Sequence, residues 1–280
     1  MVRRRFIQCD VFTPVPTRGN GLAVVVDGEG LSDAVMQDFA AWTMLAETTF
    51  LMAPTTPEAD YRLRIFTPTR EMPFAGHPTL GSCAAWLHCG GRPRTDGMVR
   101  QECGVGIVAI DATGPALAFA APPTSAAPLP DGERQALAAT LGVADGSILS
   151  AMRLNNGPAW RVLELANAAD VLAVESSRVN YPSHGYVGLI GAHPQGAECD
   201  YEVRLLAPSS GASEDPITGS LNAAIARWKY STGAWTGPVK VAQGTRIGRI
   251  GRVAIRHDAA SDTVWIGGQT CVLIEGTVNL

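Results

Sequence analysis

The spacing of hydrophobic residues divides the start of the chain into strands and a helix. Side chains alternate between apolar and polar, or are β-branched and aromatic, in four stretches that we predict to be strands: residues 6–12, 22–26, 47–52 and 61–66. From Ser32 to about Leu45 the apolar residues recur at helical spacing instead, and Ser32 is a suitable N-cap. Glu47 therefore lies where a helix passes into a strand.

Two further stretches are small and apolar on nearly every helical face. They cover residues 78–87 and residues 218–228. A helix that is apolar all round is typical of the interior of a protein and not of its surface. Because strand patterns precede both stretches, we predict two central helices, each with a curved sheet wrapped around it.

An internal repeat relates the two halves of the chain. Residues 61–69 recur as residues 201–209, with Tyr, Arg and Pro kept at an offset of 140, and residues 20–23 recur as residues 156–159 at an offset of 136. Gly76-His77-Pro78-Thr79 aligns with Asp215-Pro216-Ile217-Thr218 at an offset of 139. The Pro-rich residues 121–130 cannot continue a helix or an inner strand and are predicted to connect the copies. The predicted fold class is α+β, with duplicated halves at residues 1–120 and 131–270.

Charge and cysteine usage narrow the class of function. With 22 Lys and Arg against 26 Asp and Glu, the net charge of -4 offers no basic surface for nucleic acid. No apolar run approaches the roughly 20 residues that span a bilayer, and no signal peptide follows the basic start. The six cysteines include no C-x-x-C pair, and the five histidines show no metal-binding spacing. We expect a cytoplasmic protein with a small-molecule partner, no metal and no membrane or nucleic-acid contact.

The candidate chemistry lies where the two central helices begin. The first N–H groups of a helix have no internal partner and favour a carboxylate, so two facing helix starts would form an anion clamp. His77 can donate a hydrogen bond or a proton there, and Asp215 precedes Pro216 at the second start. Other roles stay open at this stage: Asp215 as a helix cap, His77 as a buried core histidine, and Gly219 and Ser220 as helix-packing residues.

Several motifs in both halves resemble the phenazine-biosynthesis PhzF-like isomerases of the diaminopimelate epimerase superfamily. The resemblance extends over nearly the whole length and rests on these segments: residues 10–13, 19–25, 47–50, 66–68, 71–81, 214–220 and 243–244. Among them, Gly-His-Pro-Thr at residues 76–79 and Glu-Asp-Pro-Ile-Thr-Gly-Ser at residues 214–220 are the most specific.

The resemblance implies a duplicated fold with a cleft between its halves, no cofactor and a homodimer. It places Glu47 on the family's catalytic glutamate, with His77 and Asp215 on its other polar site residues. Gly76, Gly219 and Ser220 match positions that line the substrate pocket. It also implies that a last strand near residues 271–280 returns to the first half. The expected activity is a cofactor-independent isomerisation of a small carboxylate by glutamate acid/base catalysis.

Two departures from the family pattern bear on the substrate. Ala46 stands where the family usually has Ser before the glutamate, so one hydroxyl that could hold the substrate is missing, and Gly21 stands where Pro is common. Losing a buried hydrogen bond can cost roughly 1–3 kcal/mol in recognition. The phenazine substrate itself is therefore not implied.

Related racemases and epimerases use a pair of cysteines, one at each helix start. The alignment puts Gly76 and Asp215 at those positions, and the nearest thiol, Cys83, lies about two turns further along its helix. One carboxyl group acting on one face favours a proton shift along a conjugated system. Glu47 suits this task if partial burial raises its pKa, although an exposed salt-bridging role is the alternative. A two-face epimerase or racemase and a non-catalytic carboxylate-binding protein remain the alternative functions.

Overall fold

A computed structural model describes residues 1–206 and 212–280. The repeat residues Ala207, Pro208 and Ser209 lie outside the described residues. The chain forms two compact units: residues 1–120 together with 267–280, and residues 121–266. The second unit starts at residue 121 and ends at residue 266, where residues 131–270 were predicted.

The first unit contains ten consecutive elements between Arg3 and Ala120. They are β1 (Arg3–Val11), β2 (Asn20–Val25), α1 (Asp33–Thr43), β3 (Thr48–Met52), β4 (Tyr61–Phe66), β5 (Glu71–Met72), α2 (Gly76–His88), β6 (Met98–Cys103), β7 (Gly106–Asp111) and β8 (Leu117–Ala120). The predicted N-cap is confirmed, because Ser32 Oγ accepts a hydrogen bond from the backbone N–H of Val35. Glu47 lies between α1 and β3, at the predicted helix-to-strand junction, but the strand begins at Thr48, one residue later than predicted.

Strand pairing in the first unit combines antiparallel hairpins with two parallel steps. β1 pairs antiparallel with β2, and β2 runs parallel to β3. β3, β4 and β5 follow antiparallel, whereas β4 and β6 run parallel and β6, β7 and β8 close with antiparallel pairs. The crossover from β4 to β6 contains α2, because parallel neighbours require a long connection.

The helix α2 is the centre of the first unit. It packs against strands on several sides, namely β1, β2, β3, β4, β6 and β8. Its residues from Gly76 to Cys83 are buried without interruption. Gly81 permits this close approach, since a Cβ there would lie 2.6 Å from Leu22 Cδ2 and 2.8 Å from Val11 Cγ2. The prediction of a helix inside a wrapped sheet is confirmed.

The second unit contains β9 to β16 and the first four residues of β17. Its elements are β9 (Ser125–Pro128), α3 (Asp131–Leu141), β10 (Ile148–Asn155), β11 (Ala159–Leu165), α4 (Ala168–Ala173), β12 (Tyr186–Ala192), β13 (Tyr201–Leu206), β14 (Glu214–Asp215), α5 (Gly219–Ser231), β15 (Val239–Gln243), β16 (Gly251–Asp258) and β17 (Thr263–Gly268). The predicted connection is only partly irregular, because β9 lies within it and pairs with β10. β9 is exposed along its length, which suits a Pro-containing strand.

The order and pairing of the elements from β10 to β16 repeat those of the first unit. β10 pairs antiparallel with β11, β11 runs parallel to β12, and β13 runs parallel to β15 across α5. These pairings correspond one by one to β1 with β2, β2 with β3 and β4 with β6. Both units therefore have the same fold, as the repeat predicted.

The last strand belongs to the first unit. β18 (Thr270–Asn279) pairs antiparallel with β1 along its length, from Arg3 opposite Asn279 to Val11 opposite Thr270. Because β18 adds to β1 as β9 adds to β10, both units have an extra strand on the same edge. Within the described chain, no helix is long and apolar enough to cross a membrane.

The structure corrects the register of one repeat block. The central helices α2 and α5 begin at Gly76 and Gly219, which are 143 residues apart. The strands before them, β5 and β14, begin at Glu71 and Glu214, which are also 143 residues apart. The common motif is therefore Glu-x-Pro-x-x-Gly, and Gly76 corresponds to Gly219. The predicted alignment of Gly76 with Asp215 was wrong by four residues, because the Pro residues at 78 and 216 are not equivalent.

Candidate active site

Glu47 and His77 meet at the start of the central helix in the first unit. Glu47 lies in the turn between α1 and β3, and His77 is the second residue of α2. Glu47 Oε2 lies 3.3 Å from His77 Nε2, with the imidazole side chain 6% and the carboxylate side chain 17% exposed. The contact lacks the alignment of a full hydrogen bond, which is common for acid/base pairs that tighten only around a substrate.

His77 is held as a neutral imidazole. Burial lowers its pKa from 6.5 to about 3, because the charged ring would lose its hydration. Its contact with Glu47 is therefore not an ion pair at neutral pH. The other ring nitrogen, Nδ1, lies 3.3 Å from the amide nitrogen of Asn20, which is itself buried.

The backbone supports this arrangement from two sides. α2 begins after Ala75, and no described side chain caps its first turn, so the N–H groups of Gly76 and His77 point out of the helix start. On the strand side, the backbone N–H of Gly19 donates to Asp10 Oδ2 at 2.9 Å, immediately before Asn20. A Cβ at Gly19 would lie 2.4 Å from the Val11 carbonyl oxygen, so only glycine fits there.

In the second unit, Asp215 belongs to a polar cluster at the end of β14. It is the last residue of β14, and its Oδ2 accepts a hydrogen bond from the Thr218 hydroxyl. Gln243 orders this cluster: its Oε1 accepts from the Thr218 backbone N–H and from Asn222 Nδ2, at 3.1 and 2.8 Å. Gln243 Nε2 donates to the Thr218 hydroxyl at 3.0 Å. In the sequence, Gln243 belongs to a segment that resembles the family, but its role in ordering this cluster was not predicted.

The second helix start does not include Asp215. The N-cap of α5 is Thr218, and the helix begins with Gly219 and Ser220, so the expectation that Asp215 stands at this start was wrong. Asp215 contacts the start through Thr218. Gly219 is buried, and the backbone oxygen of Ser220 accepts a hydrogen bond from Asn156 Nδ2 at 2.8 Å.

Neither helix start carries a thiol. Ala75 and Gly76 form the first start, and Thr218 and Gly219 the second. Cys83 lies seven residues after Gly76 within α2, and burial raises its pKa to about 12. A thiol with that pKa is a poor base at neutral pH. Among the described residues, no group of three or more His, Cys, Asp or Glu side chains could hold a metal ion.

Asn20 is the site residue that sequence reasoning missed. It contacts a residue 57 positions away, and a contact of that kind is not visible in local patterns. The repeat carried a signal, because Asn20 and Asn156 are the repeated asparagines of the two halves. Each contacts the second residue of its own central helix, His77 or Ser220.

Solved structures share the fold over the full chain. A phenazine biosynthesis protein of the PhzF family from Bacillus anthracis covers 100% of both chains with a TM-score of 0.83 at 21% identity. A predicted epimerase from Pseudomonas aeruginosa covers 98% of this chain and 99% of its own, with a TM-score of 0.81 at 25% identity. A probable proline racemase from Agrobacterium radiobacter has a TM-score of 0.66 at 12% identity. The chain thus has a diaminopimelate epimerase-like fold. Because full-length relatives in sequence are named isomerases, it is an enzyme of the isomerase class.

The family follows from the sequence comparisons. The family model described as phenazine biosynthesis-like protein matches residues 9–276, so the chain belongs to the phenazine biosynthesis-like PhzC/PhzF family. Antisense-enhancing sequence 1 of Schizosaccharomyces pombe is 33% identical over 99% of both chains. Trans-2,3-dihydro-3-hydroxyanthranilate isomerase of Pseudomonas aeruginosa is 29% identical, again over 99% of both chains.

Proposed function

We propose that this protein is a cofactor-independent isomerase that moves a proton on a small carboxylate substrate, with Glu47 as the proton carrier. The contact between Glu47 Oε2 and His77 Nε2 at the start of α2 supports this proposal. Glu47 takes a proton from a substrate carbon and returns it to another carbon of the same conjugated system. One C–H bond breaks and another forms, so no oxidant, reductant or second substrate is needed.

His77 serves this reaction as a hydrogen-bond donor and not as an acid. Because burial keeps the ring neutral, it can orient the Glu47 carboxylate without neutralising it. The N–H groups of Gly76 and His77 at the helix start suit the substrate carboxylate. Asp215, Gly219 and Ser220 are proposed to serve the same reaction from the second unit, with Asp215 as an additional polar group.

The isomerase is favoured over the two alternatives. A two-face racemase or epimerase needs a second acid/base group, and the thiols that related enzymes place at the helix starts are not present there. A simple carboxylate-binding protein would need the helix start but not a carboxylate against a buried imidazole. The name of the Pseudomonas aeruginosa relative, an isomerase of a hydroxylated dihydroanthranilate, agrees with a proton shift on a conjugated carboxylate.

The substrate of this chain is proposed only as a class. Ala46 places a methyl group beside Glu47 where the family usually has a hydroxyl, so we propose a small unsaturated carboxylate that lacks a polar partner for that position. Cytoplasmic location and a homodimer remain predictions from the sequence.

Solvent exchange combined with one conservative variant tests the proposal. Unsaturated carboxylates, including dihydroanthranilates, are incubated with the protein in deuterated water, and products are followed by NMR and mass spectrometry. For a substrate that the wild type converts, Glu47→Gln keeps the shape of the side chain and should lose turnover by at least 10²-fold, the lower end of what acid/base catalysis supplies. Activity within about tenfold of wild type would exclude Glu47, since less than about 1.4 kcal/mol of the barrier would depend on it.

A further inference from the structure

The side chain of Asn20 lies against the far side of the His77 ring. Its amide nitrogen is 3.3 Å from Nδ1, while Nε2 on the opposite side of the ring is 3.3 Å from Glu47 Oε2. Asn20 and His77 are both buried. The imidazole is thus held between an amide and a carboxylate. In the neutral ring, the one nitrogen-bound proton can lie either on Nδ1 or on Nε2.

The amide determines which position is occupied. An amide NH2 group donates hydrogen bonds and does not accept them, so the Nδ1 atom that faces it must be the unprotonated nitrogen. The proton of the neutral ring then lies on Nε2 and faces Glu47. If the Asn20 side chain were rotated by 180°, its oxygen would accept from Nδ1–H, and Nε2 would present a lone pair to the carboxylate.

The second unit supports the first of these orientations. Asn156 is the repeat counterpart of Asn20, and its Oδ1 accepts a hydrogen bond from Trp160 Nε1 at 2.9 Å. Because an indole N–H can only donate, the orientation of the Asn156 amide is fixed. Its nitrogen faces the start of α5 and donates to the Ser220 oxygen. The same orientation in the first unit turns the Asn20 nitrogen towards the start of α2.

We propose that Asn20 is a positioning residue that holds His77 in its Nε2-protonated form and thereby directs the imidazole N–H to Glu47. The proposal rests on the proposed function for its catalytic meaning, but the protonated nitrogen itself can be measured without a substrate. Asp10 and Gly19 fix the backbone before Asn20, so the amide approaches the ring from a defined direction.

The ring can be observed directly by nitrogen NMR. Protein labelled with 15N-histidine is studied near pH 7 through the couplings between the ring nitrogens and the carbon-bound ring protons, which distinguish the two neutral forms. The five histidines are assigned with His77→Gln. Wild-type His77 should show a protonated Nε2 and an unprotonated Nδ1. A protonated Nδ1 with an unprotonated Nε2 would overturn the proposal.

Variants at Asn20 test whether the amide is the cause. In Asn20→Asp the new carboxylate accepts a hydrogen bond, so the proton should move to Nδ1 or the ring should become doubly protonated. In Asn20→Ala the preference for Nε2 should weaken to a mixture. Asn156→Ala is the matched control, because it removes the equivalent amide in the second unit and should leave the His77 signals unchanged. A wild-type pattern in both Asn20 variants would overturn the assignment.

Turnover separates this proposal from the proposed function. On a substrate that the wild type converts, Asn20→Asp should reduce kcat by about 10²-fold or more. With the proton on Nδ1, the ring turns a lone pair towards Glu47, and with both nitrogens protonated it pairs with the carboxylate as a cation and lowers the basicity of Glu47. One outcome is that Glu47→Gln retains activity, while His77 is protonated on Nε2 only when the Asn20 amide is present. The proposed function then fails, but Asn20 still determines which nitrogen of His77 carries the proton. If the NMR pattern is wrong while Glu47→Gln is inactive, only the role of Asn20 fails.

Discussion

Arg204 and Glu214 form an ion pair from which solvent is completely excluded. Arg204 Nη2 lies 2.7 Å from Glu214 Oε2, Arg204 Nε donates to the second carboxylate oxygen, and both side chains are 0% exposed. The first unit repeats the pair as Arg64 with Glu71, at the same distance but with 14% and 44% of the side chains exposed. In both units the ion pair joins the strand that carries the arginine, β4 or β13, to the short strand before the central helix, β5 or β14. The same pair is therefore buried in the second unit and partly exposed in the first.

The two versions should differ strongly in their effect on stability. Glu214→Gln leaves a buried guanidinium without its charge partner and should lower the free energy of unfolding by about 3–5 kcal/mol. Glu71→Gln is the matched control and should cost only about 0–1 kcal/mol, because solvent and Asp33 still stabilise Arg64. Urea denaturation of both variants measures the difference. Equal, small losses would show that solvent reaches the second pair.

Gly81 should not tolerate even a methyl group. In Gly81→Ala the new Cβ would contact Val11, whose branched side chain cannot easily turn away, and the overpacking should destabilise the protein by about 1–3 kcal/mol. Gly132→Ala is the control on another helix, α3, where no atom lies within 4 Å of the added Cβ. It should be neutral or stabilising by up to about 1 kcal/mol. A Gly81→Ala variant as stable as the wild type would contradict the close packing of α2.

Local patterns predicted the elements better than their ends. The strand at residues 61–66 was predicted with its observed bounds, because alternation and β-branched residues act over short distances. The helix starts were harder, since Pro is accepted in a first helical turn and also just before a helix. Pro78 lies inside α2, whereas Pro216 precedes α5 by three residues. The two prolines therefore occupy different positions relative to their helices, and the sequence alignment matched Pro78 with Pro216 although they are not equivalent.

From the sequence, a role in the candidate site could be predicted only for residues that match a functional position of a family motif. Glu47 and His77 were found from family-like segments, and their contact agrees with that prediction without testing their catalytic role. Asn20 was in the same segments but had no assigned part, because its role depends on the separation of two atoms that are 57 residues apart in the chain. Side-chain orientation of this kind arises from packing and is not encoded in spacing.

His77 should make the folded protein sensitive to acid. Its pKa is lowered to about 3 in the fold from an ordinary value of 6.5, so between these values the unfolded chain binds the additional proton. Stability therefore rises with pH across this window and is lost as pH falls from 6.5 towards 3, by about 1.4 kcal/mol per pH unit at most. Denaturation of wild type and His77→Gln from pH 7 to pH 4 measures the difference. Parallel curves would show that the folded protein also accepts the proton.

His77 can contribute to turnover either as a neutral hydrogen-bond donor or as an acid that transfers a proton. A neutral donor and a proton-transferring acid respond differently to substitution. Gln at position 77 offers an amide N–H but no titrating group, whereas Leu offers neither. If His77 acts as a neutral donor, His77→Gln should retain clearly more activity than His77→Leu.

The pH dependence of the same variants separates the two roles further. A ring with a pKa near 3 does not titrate in the range where the enzyme works, so the profile of kcat/KM against pH should have the same shape in wild type and His77→Gln. Only its height should fall. If the wild-type profile shows an inflection near 6.5 that disappears in His77→Gln, the ring is exchanging a proton during the reaction. In that case His77, and not Glu47 alone, carries the proton, and burial does not hold the imidazole neutral in the working enzyme.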